Sequence, residues 1–300
     1  MRERILVKDL AAREDGPVVL GGWVEKLRDQ KRIQFIVLRD ESGDVQVTYP
    51  RPVIDDQPDE NDALAATISG LTAGSFVWVT GRLKHDERVK LGGLEIQLDD
   101  LEVVTLADPE TPIAEDTSID KRMDWRFLDL RRSEMNLVFR IQTTIENAWR
   151  QYWVENGFVE IHSPKLMASP SESNAELFKL EYFEGHAYLA QSPQFYKQMA
   201  MMSGLGRVFE IGPVFRADPS FTSRHATEFV SVDIEVSWID SHEDIMAIQE
   251  QLLQRAIQAV KDAHGEEILA RFGVDVVVPS VPFPRVSLAD AIEIVKERGH

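Results

Sequence analysis

Residues 207–239 read RVFEIGPVFRADPSFTSRHATEFVSVDIEVSWI. Two apolar, strand-like runs flank a charged loop that carries Arg216, Asp218, Arg224, His225 and Glu228. Strand side chains alternate between faces, so Arg216 and Asp218 share one face while Phe215 points to the other. The return run alternates cleanly. Val230, Val232, Ile234, Val236 and Trp238 take one face, and Phe229, Ser231, Asp233, Glu235 and Ser237 the other. If the runs pair as a hairpin, one sheet face carries Arg216, Asp218, Phe229, Asp233 and Glu235 over an apolar core face. Arg binds phosphate oxygens in a planar fork, an aromatic stacks on a base, and carboxylates hold an amine. Such a floor suits a nucleotide and an ammonium-bearing ligand, with Arg224 and His225 in reach of a polyphosphate tail. The plain alternative is a solvent-facing strand of an antiparallel sheet, and alternation alone favours it.

Two neighbouring stretches share this double reading. In AQSPQFYKQM (190–199), Ser192 suits a helix cap and Pro193 the first helical position. Gln194 and Lys197 then share a helical face, where they could bind a carboxylate or simply coat a surface helix. SPSESNAELF (169–178) is a polar loop with Glu172 in its middle. It is either a closing loop over a cationic group or a plain connection.

Outward from this region, the second half of the chain reads as antiparallel α+β. SEMNLVFRIQTTIENAWRQYWVENG places Leu137, Ile141, Ile145, Ala148, Trp149 and Tyr152 on one helical face, with Gly157 as a stop. FVEIHSP and AYLAQ read as strands, and EDIMAIQEQLLQRAIQAVKDAHG as a long amphipathic helix. LADAIEIVKERGH, at the end, is another amphipathic helix pattern, and the expectation is that this chain is a piece of a longer one.

The first part is different. VVLGGWVEKL, RIQFIVLRD and DVQVTYP are strand-like, NDALAATISGL is helix-like, and SFVWVTGRLK and LEIQLDDLEVV are strand-like again. Three strands, a helix and two strands is the order of an OB-fold barrel. Phe35 stands near Lys26, Arg28, Lys31 and Arg32, a composition suited to stacking on unpaired bases. Ile33 and Val37 share its parity, so the pattern leaves open whether Phe35 is core. DDQPDEND (55–62) reads as a solvated loop or helix start. ADPETPIAEDTSID (107–120) has two prolines and several acids and reads as a linker. The expected division is a barrel over 1–106, a hinge over 107–125 and a second domain over 126–300.

Bulk composition narrows the classes. The chain has 300 residues, 43% hydrophobic and 28% charged, with no cysteine. Disulfides, cysteine-ligated zinc and a thiol nucleophile are excluded, and a reducing, cytoplasmic setting is expected. No signal-peptide core or membrane-length apolar run occurs. The net charge of −18 argues against non-specific nucleic-acid binding but permits a local basic face. No phosphate-binding Gly-rich loop, dinucleotide fingerprint, metalloprotease helix or nucleophile elbow is present, and the seven histidines show no metal-ligand spacing.

Together these segments resemble the class II aminoacyl-tRNA synthetases, and among them the aspartyl enzymes of archaeal and eukaryotic type. GFVEIHSPKL (157–166) resembles motif 1, closing at Pro164, and residues 208–235 resemble motif 2 with its RHxxEF loop. YLAQSPQFYKQM (188–199) is similar to the aspartate-specific segment, and RFLDLRR (126–132) and PFPRVS (282–287) also look like family sequence. The resemblance implies an OB-fold anticodon-binding barrel, then a class II antiparallel-sheet catalytic domain. It implies aspartate–tRNA ligase activity with ATP and Mg²⁺. By its residue matches, Arg216 would be catalytic, binding the ATP α-phosphate and the aspartate carboxylate. Arg224 and His225 would hold the ATP tail, Asp218 would lie at the adenine, and Phe229 would stack on it. Lys197 would pair with the substrate side chain, with Glu172, Ser192, Gln194 and Asp233 around its ammonium. Phe35, Gln46 and Arg28 would meet the anticodon. Motif 1 implies a homodimer through Pro164. The implied partners are L-aspartate and tRNA(Asp), with tRNA(Asn) an open second acceptor, and no membrane.

Three departures stand out. Asp218 occupies a position usually held by Glu, SESNA (171–175) replaces a more usual SEGGA, and no motif 3 occurs. Magnesium ligands are therefore expected beyond residue 300 rather than in this chain. Two other readings stay open: a non-catalytic RNA-binding or regulatory paralogue, and a relative that passes aspartyl-adenylate to a non-tRNA acceptor.

Overall fold

In the computed structural model, which describes residues 3–114, 116–171, 177–218 and 225–298, the chain divides into two units, Met1–Trp125 and Arg126–His300. In the first, a 3-10 helix (Val7–Ala12) leads into β1 (Gly16–Asp29), β2 (Ile33–Arg39) and β3 (Asp44–Pro50). A two-stranded hairpin, β4 (Val53–Ile54) with β5 (Gln57–Pro58), precedes α1 (Ala63–Ser69), and β6 (Phe76–His85) and β7 (Leu94–Thr105) follow.

The long strands close into a barrel in the order β1-β2-β3-β7-β6. All its pairs are antiparallel except β3 with β7, and this parallel pair closes the cylinder. Closure pairs every strand of the barrel with two neighbours, which limits the strand edge open to another chain. β1 serves both β2 and β6, and its register shifts between Val24 and Lys26, a bulge that bends it around the corner. A Cβ on Gly22 would lie 2.5 Å from the Arg39 carbonyl oxygen, so only glycine lets the strands approach there.

The interior is aliphatic: Leu20, Val24, Ile36, Leu38, Val47, Val79, Leu83 and Ile96 are buried together, joined by Ile68 and Leu71 at and just beyond α1. Asp62 caps α1 by accepting from the Leu64 and Ala65 amides at 3.0 and 3.1 Å. The acidic stretch 55–62, read as a solvated loop or helix start, is the tip and second strand of the β4–β5 hairpin leading to the cap of α1. The Tyr49 hydroxyl donates to Asp62 at 2.8 Å, and burial, reinforced by this carboxylate, pushes the phenol up to about 12. The buried Gln34 amide donates to the Ala65 carbonyl at 3.0 Å and to the Ser69 hydroxyl at 2.9 Å, fixing the helix over the barrel end.

α2 (Ile119–Asp124) lies in the stretch read as a hinge, and α3 (Arg126–Asp129) opens the second unit. There α4 (Ser133–Glu155) leads to β8 (Val159–Glu160) and β9 (Leu166–Met167). Next come β10 (Lys179–Tyr182), β11 (Gly185–Leu189), α5 (Gln194–Met202), β12 (Arg207–Phe215) and β13 (Glu228–Val236), then α6 (His242–Phe272) and α7 (Leu288–Glu297). β12 and β13 form the expected antiparallel hairpin, with β8 added in parallel along β12. β10, β11 and β9 make a second small sheet.

The expected apolar face of the hairpin is covered only in part: Phe209, Ile211, Ile234 and Val236 pack on the helices, while Val230, Val232 and Trp238 are exposed. Phe209 lies 4.5 Å, centroid to centroid, from Trp153, in a core shared with Phe158 and Leu252. Trp153, absent from the helical face read in the sequence, is one of the deepest side chains of α4. α6 continues past Gly265, where the sequence suggests an end. Arg140 bonds Glu267 at 2.8 Å and the Thr144 hydroxyl meets His264 at 2.8 Å, so contacts with α4 offset the weak helix propensity of glycine. The stop falls instead at Gly273, whose φ is 66°. Among the described residues no helix is long and apolar enough to cross a membrane.

Candidate functional site

The pairing register puts Arg216 and the carboxylates on the same side of the hairpin. Val208 faces Glu235, Glu210 faces Asp233, Gly212 faces Ser231 and Val214 faces Phe229 across the ladder. Opposed residues share a face. The next pair outward is Arg216, whose amide donates to the Thr227 carbonyl at 2.9 Å. One face therefore carries Arg216, Phe229, Ser231, Asp233 and Glu235, as alternation predicts. The Arg216 guanidinium carbon sits 5.8 Å from the Phe229 ring centroid, a cation–π stack. Both side chains are exposed, Phe229 to 38%. Asp218 is half-buried just beyond β12, and His225 is exposed where the chain returns toward β13. Glu172 and Arg224 lie outside the described residues.

α5 is laid across this face. Its first residue is Gln194, with Pro193 in the cap position, one residue later than the sequence suggests. Ser192 still acts at the helix start, since its hydroxyl accepts the Gln194 amide at 3.3 Å. The segment is stitched in place by backbone: Ala190 donates to the Lys165 carbonyl and accepts from the Phe215 amide, each at 2.9 Å. Lys197 is consequently buried, its side chain only 5% exposed. Its ammonium donates to Asp233 at 3.1 Å and to the Ile234 carbonyl at 3.2 Å, with Glu235 at 3.6 Å. Gln194 donates to Glu235 at 3.3 Å, and the Ser231 hydroxyl donates to the second Asp233 oxygen. Gln194 and Lys197 thus share a face, and it is the sheet that they meet rather than solvent.

A second ion pair on the same floor escapes a reading of the sequence. Glu210 is buried, and its carboxylate accepts from the Lys165 ammonium at 2.6 Å, the Ser163 amide at 3.1 Å and the Ser163 hydroxyl at 2.7 Å. The cluster fits because Gly212 is bare. A Cβ there would stand 3.0 Å from the Glu210 oxygen and 3.4 Å from the Lys165 ammonium. Pro164 lies exposed between Ser163 and Lys165. Strand parity marks Glu210 as a floor residue, but nothing local joins it to the HSPKL stretch.

The barrel has its own candidate face. β2 buries Gln34, Ile36 and Leu38 and leaves Phe35 and Val37 outward, so Phe35 is not core. Phe35, Arg28 and Gln46 line one open groove of about 770 Å³, with Lys26, Arg88, Lys90 and Glu95. Arg28 lies opposite Phe35 in the ladder, and Gln46 donates to Glu95 at 3.2 Å. In the β6–β7 loop, Arg88 grips both oxygens of Asp86, and this hydrogen bonding holds the Asp86 carboxyl at about 2. Lys31 and Arg32, grouped with Phe35 by sequence, bind Asp56 instead. Among the described residues no group of three or more His, Cys, Asp or Glu could hold a metal ion.

Two family models match the chain. An OB-fold nucleic acid binding domain covers residues 18–104, and tRNA synthetases class II (D, K and N) cover residues 118–299. The aspartate–tRNA(Asp/Asn) ligase of Methanopyrus kandleri is 39% identical over 298 residues, 97% of this chain and 67% of that protein. The aspartate–tRNA(Asp) ligase of Thermococcus kodakarensis is 39% identical over 289 residues, 94% of this chain and 64% of that protein. The crystal structure of asparaginyl-tRNA synthetase from Pyrococcus horikoshii complexed with asparaginyl-adenylate superposes with a TM-score of 0.89 at 32% identity. It is matched over 100% of this chain and 68% of that one, so the chain spans about two thirds of the length of these relatives. A barrel of OB topology, an Arg-bearing hairpin floor and a buried lysine over it accompany these matches, and the chain belongs to the class II aminoacyl-tRNA synthetases of the D, K and N group.

Proposed function

We propose that this chain belongs to an aspartate–tRNA ligase, which activates L-aspartate with ATP and transfers it to tRNA(Asp). The observation that carries the choice of aspartate is Lys197. A buried ammonium on the floor, beside the Arg216 face, favours a substrate carboxylate over a neutral amide, because a hydrogen bond between two charged groups is roughly twice as strong as one to a neutral acceptor. Its present partners, Asp233 and Glu235, keep it compensated until substrate arrives.

In this reading the substrate ammonium is taken by Asp233, Gln194 and Ser192, with Glu172 closing over it, and Arg216 bridges the α-carboxylate and the α-phosphate. Phe229 offers its ring to adenine when Arg216 swings from it toward phosphate, and Asp218, Arg224 and His225 serve the rest of the nucleotide. An aspartate carboxylate oxygen attacks the α-phosphorus in line, the new P–O bond forms, and the bond to the β-phosphate oxygen breaks to release pyrophosphate. A terminal ribose hydroxyl of tRNA then attacks the acyl carbon and AMP leaves. The side chains position groups and neutralise charge. Mg²⁺ would further neutralise the polyphosphate when bound. Phe35, Gln46 and Arg28 receive the anticodon, Pro164 lies at a homodimer contact, and the enzyme works in the cytoplasm.

Exchange of labelled pyrophosphate into ATP tests this. Exchange that depends on aspartate and not on asparagine is expected. Exchange with asparagine instead would overturn the amino-acid assignment. RNA binding without exchange for either amino acid would favour a non-catalytic RNA-binding protein, the reading that the intact barrel groove also suits.

A further inference from the structure

We propose that Lys31 and Arg32 form a phosphate-docking edge beside the base-stacking face of the barrel. Asp56, from the chain's own β4–β5 turn, holds that position until a single-stranded RNA backbone displaces it. The inference rests on the barrel's reading as a nucleic-acid binder and goes further, by naming where the backbone docks and what it must displace.

Lys31 and Arg32 occupy the turn joining β1 to β2, the two strands that carry Arg28 and Phe35 opposite each other. The Lys31 ammonium donates to one Asp56 oxygen at 2.8 Å, and the Arg32 guanidinium donates to the other at 3.0 Å. One anion thus presents two oxygens to two cations, as the non-bridging oxygens of a phosphodiester would. Hydrogen bonds from Lys31 and then Arg32 hold the Asp56 carboxyl below its usual range, so it stays anionic wherever RNA is intact.

The pair is built to exchange. Its members are exposed, Lys31 to 45%, Arg32 to 74% and Asp56 to 65%, and ion pairs so exposed contribute little to stability. The root of the β4–β5 hairpin is joined to the same turn, since the Arg51 amide donates to the Arg32 carbonyl at 3.0 Å. Asp55 and Asp56 both have positive φ, 49° and 60°, a turn that Asp and Asn tolerate. The turn therefore delivers its carboxylate to the cations while the barrel itself stays unaltered.

The purpose follows from charge. Bare cations bind any polyanion, because phosphate contacts carry no sequence information. With Asp56 in place, a backbone gains the edge only by displacing an internal anion. An RNA whose bases also stack on Phe35 gains enough to do so, while a backbone alone gains less. Asp56 lowers affinity for every RNA that uses this edge, so a backbone binds appreciably only where base stacking adds to its charge.

The test is anisotropy of a fluorescein-labelled RNA stem-loop with an unpaired loop, titrated with the chain across a series of KCl concentrations. Asp56→Asn is expected to bind several-fold more tightly. Lys31→Ala with Arg32→Ala should make the log–log salt dependence shallower by about 1.4 than in the unsubstituted chain, since each lost single-strand phosphate contact removes about 0.7. Adding Lys31→Ala and Arg32→Ala to Asp56→Asn should abolish the gain. Asp55→Asn, the charge-matched neighbour, should leave binding and slope as in the unsubstituted chain. Binding by the unsubstituted chain with no gain in Asp56→Asn would overturn the inference and spare the barrel reading. An equal gain in Asp55→Asn would reduce the effect to bulk charge and overturn it too. Failure of every variant to bind at any salt concentration would overturn both.

Discussion

Glu210 lies directly across the ladder from Asp233, and each carboxylate has its own lysine. Opposed like charges on a sheet repel, so the floor is stable only with Lys165 on one and Lys197 on the other. Two segments distant in sequence, HSPKL and QSPQFYK, are thereby bound to one pair of strand positions.

Lys165→Met removes one half of this arrangement. It leaves the buried Glu210 charge with only the Ser163 hydrogen bonds and is expected to destabilise the second unit by roughly 2 kcal/mol or more. Replacing both partners, Lys165→Met with Glu210→Gln, should recover a good part of the loss. Denaturant melts of the single and double variants measure the coupling. Simple addition of the single effects would show that the pair is not energetically linked.

Lys197→Ala should weaken aspartate binding by roughly 10- to 150-fold, the range for a charged hydrogen bond worth about 1.5–3 kcal/mol. Calorimetric titration with aspartate measures it. An unchanged affinity would remove Lys197 from the specificity argument, whatever the effect on stability.

Phe35→Ala and Ile36→Ala separate reading from folding. Phe35 faces the groove and should contribute about 1–3 kcal/mol to binding of an unpaired base, with little effect on the barrel. Ile36 faces the core, and its truncation should cost about 2–5 kcal/mol of stability. Parallel RNA titrations and thermal melts would expose any reversal of the two roles.

The pH dependence of the barrel turns on Tyr49. Its folded phenol stays protonated up to about 12, whereas an unfolded tyrosine titrates near 10. Its contribution is therefore complete below about pH 10 and is lost as pH rises from there toward the folded value. Tyr49→Phe should flatten the alkaline limb of the melting profile. In the second unit the sign reverses for Glu250, held below its usual range first by the Arg285 hydrogen bond. Its contribution is lost as pH falls, and Glu250→Gln should flatten the acid limb.

The sequence makes the hairpin face legible because β13 alternates without a break, so the joint placement of Phe229, Asp233 and Glu235 needs only the period of a strand. The five-stranded closed barrel is legible from element order. Phe35 is not, since both parities of β2 are largely apolar and the inward one includes the polar Gln34. Only closure around the bulge in β1 decides which side is inside. The Glu210–Lys165 pair is equally hidden, because it depends on β8 lying parallel to β12 and on the backbone link from Ala190 to Lys165. α5 starts one residue later than expected, a difference of the size helix ends show, and the Ser192 hydroxyl accepts the Gln194 amide as an N-cap at 192 would.

The alternation along β2 also bears on how such a barrel can change over time. Its inward side chains secure the cylinder, while Phe35 and Val37 face the groove from the same strand. Substitution at the outward positions can alter which bases are welcomed without disturbing the architecture beneath. In the proposed anticodon role of this wall, a lineage drifts from one anticodon to a neighbouring one through a few exchanges, each tolerated by a scaffold that does not register it.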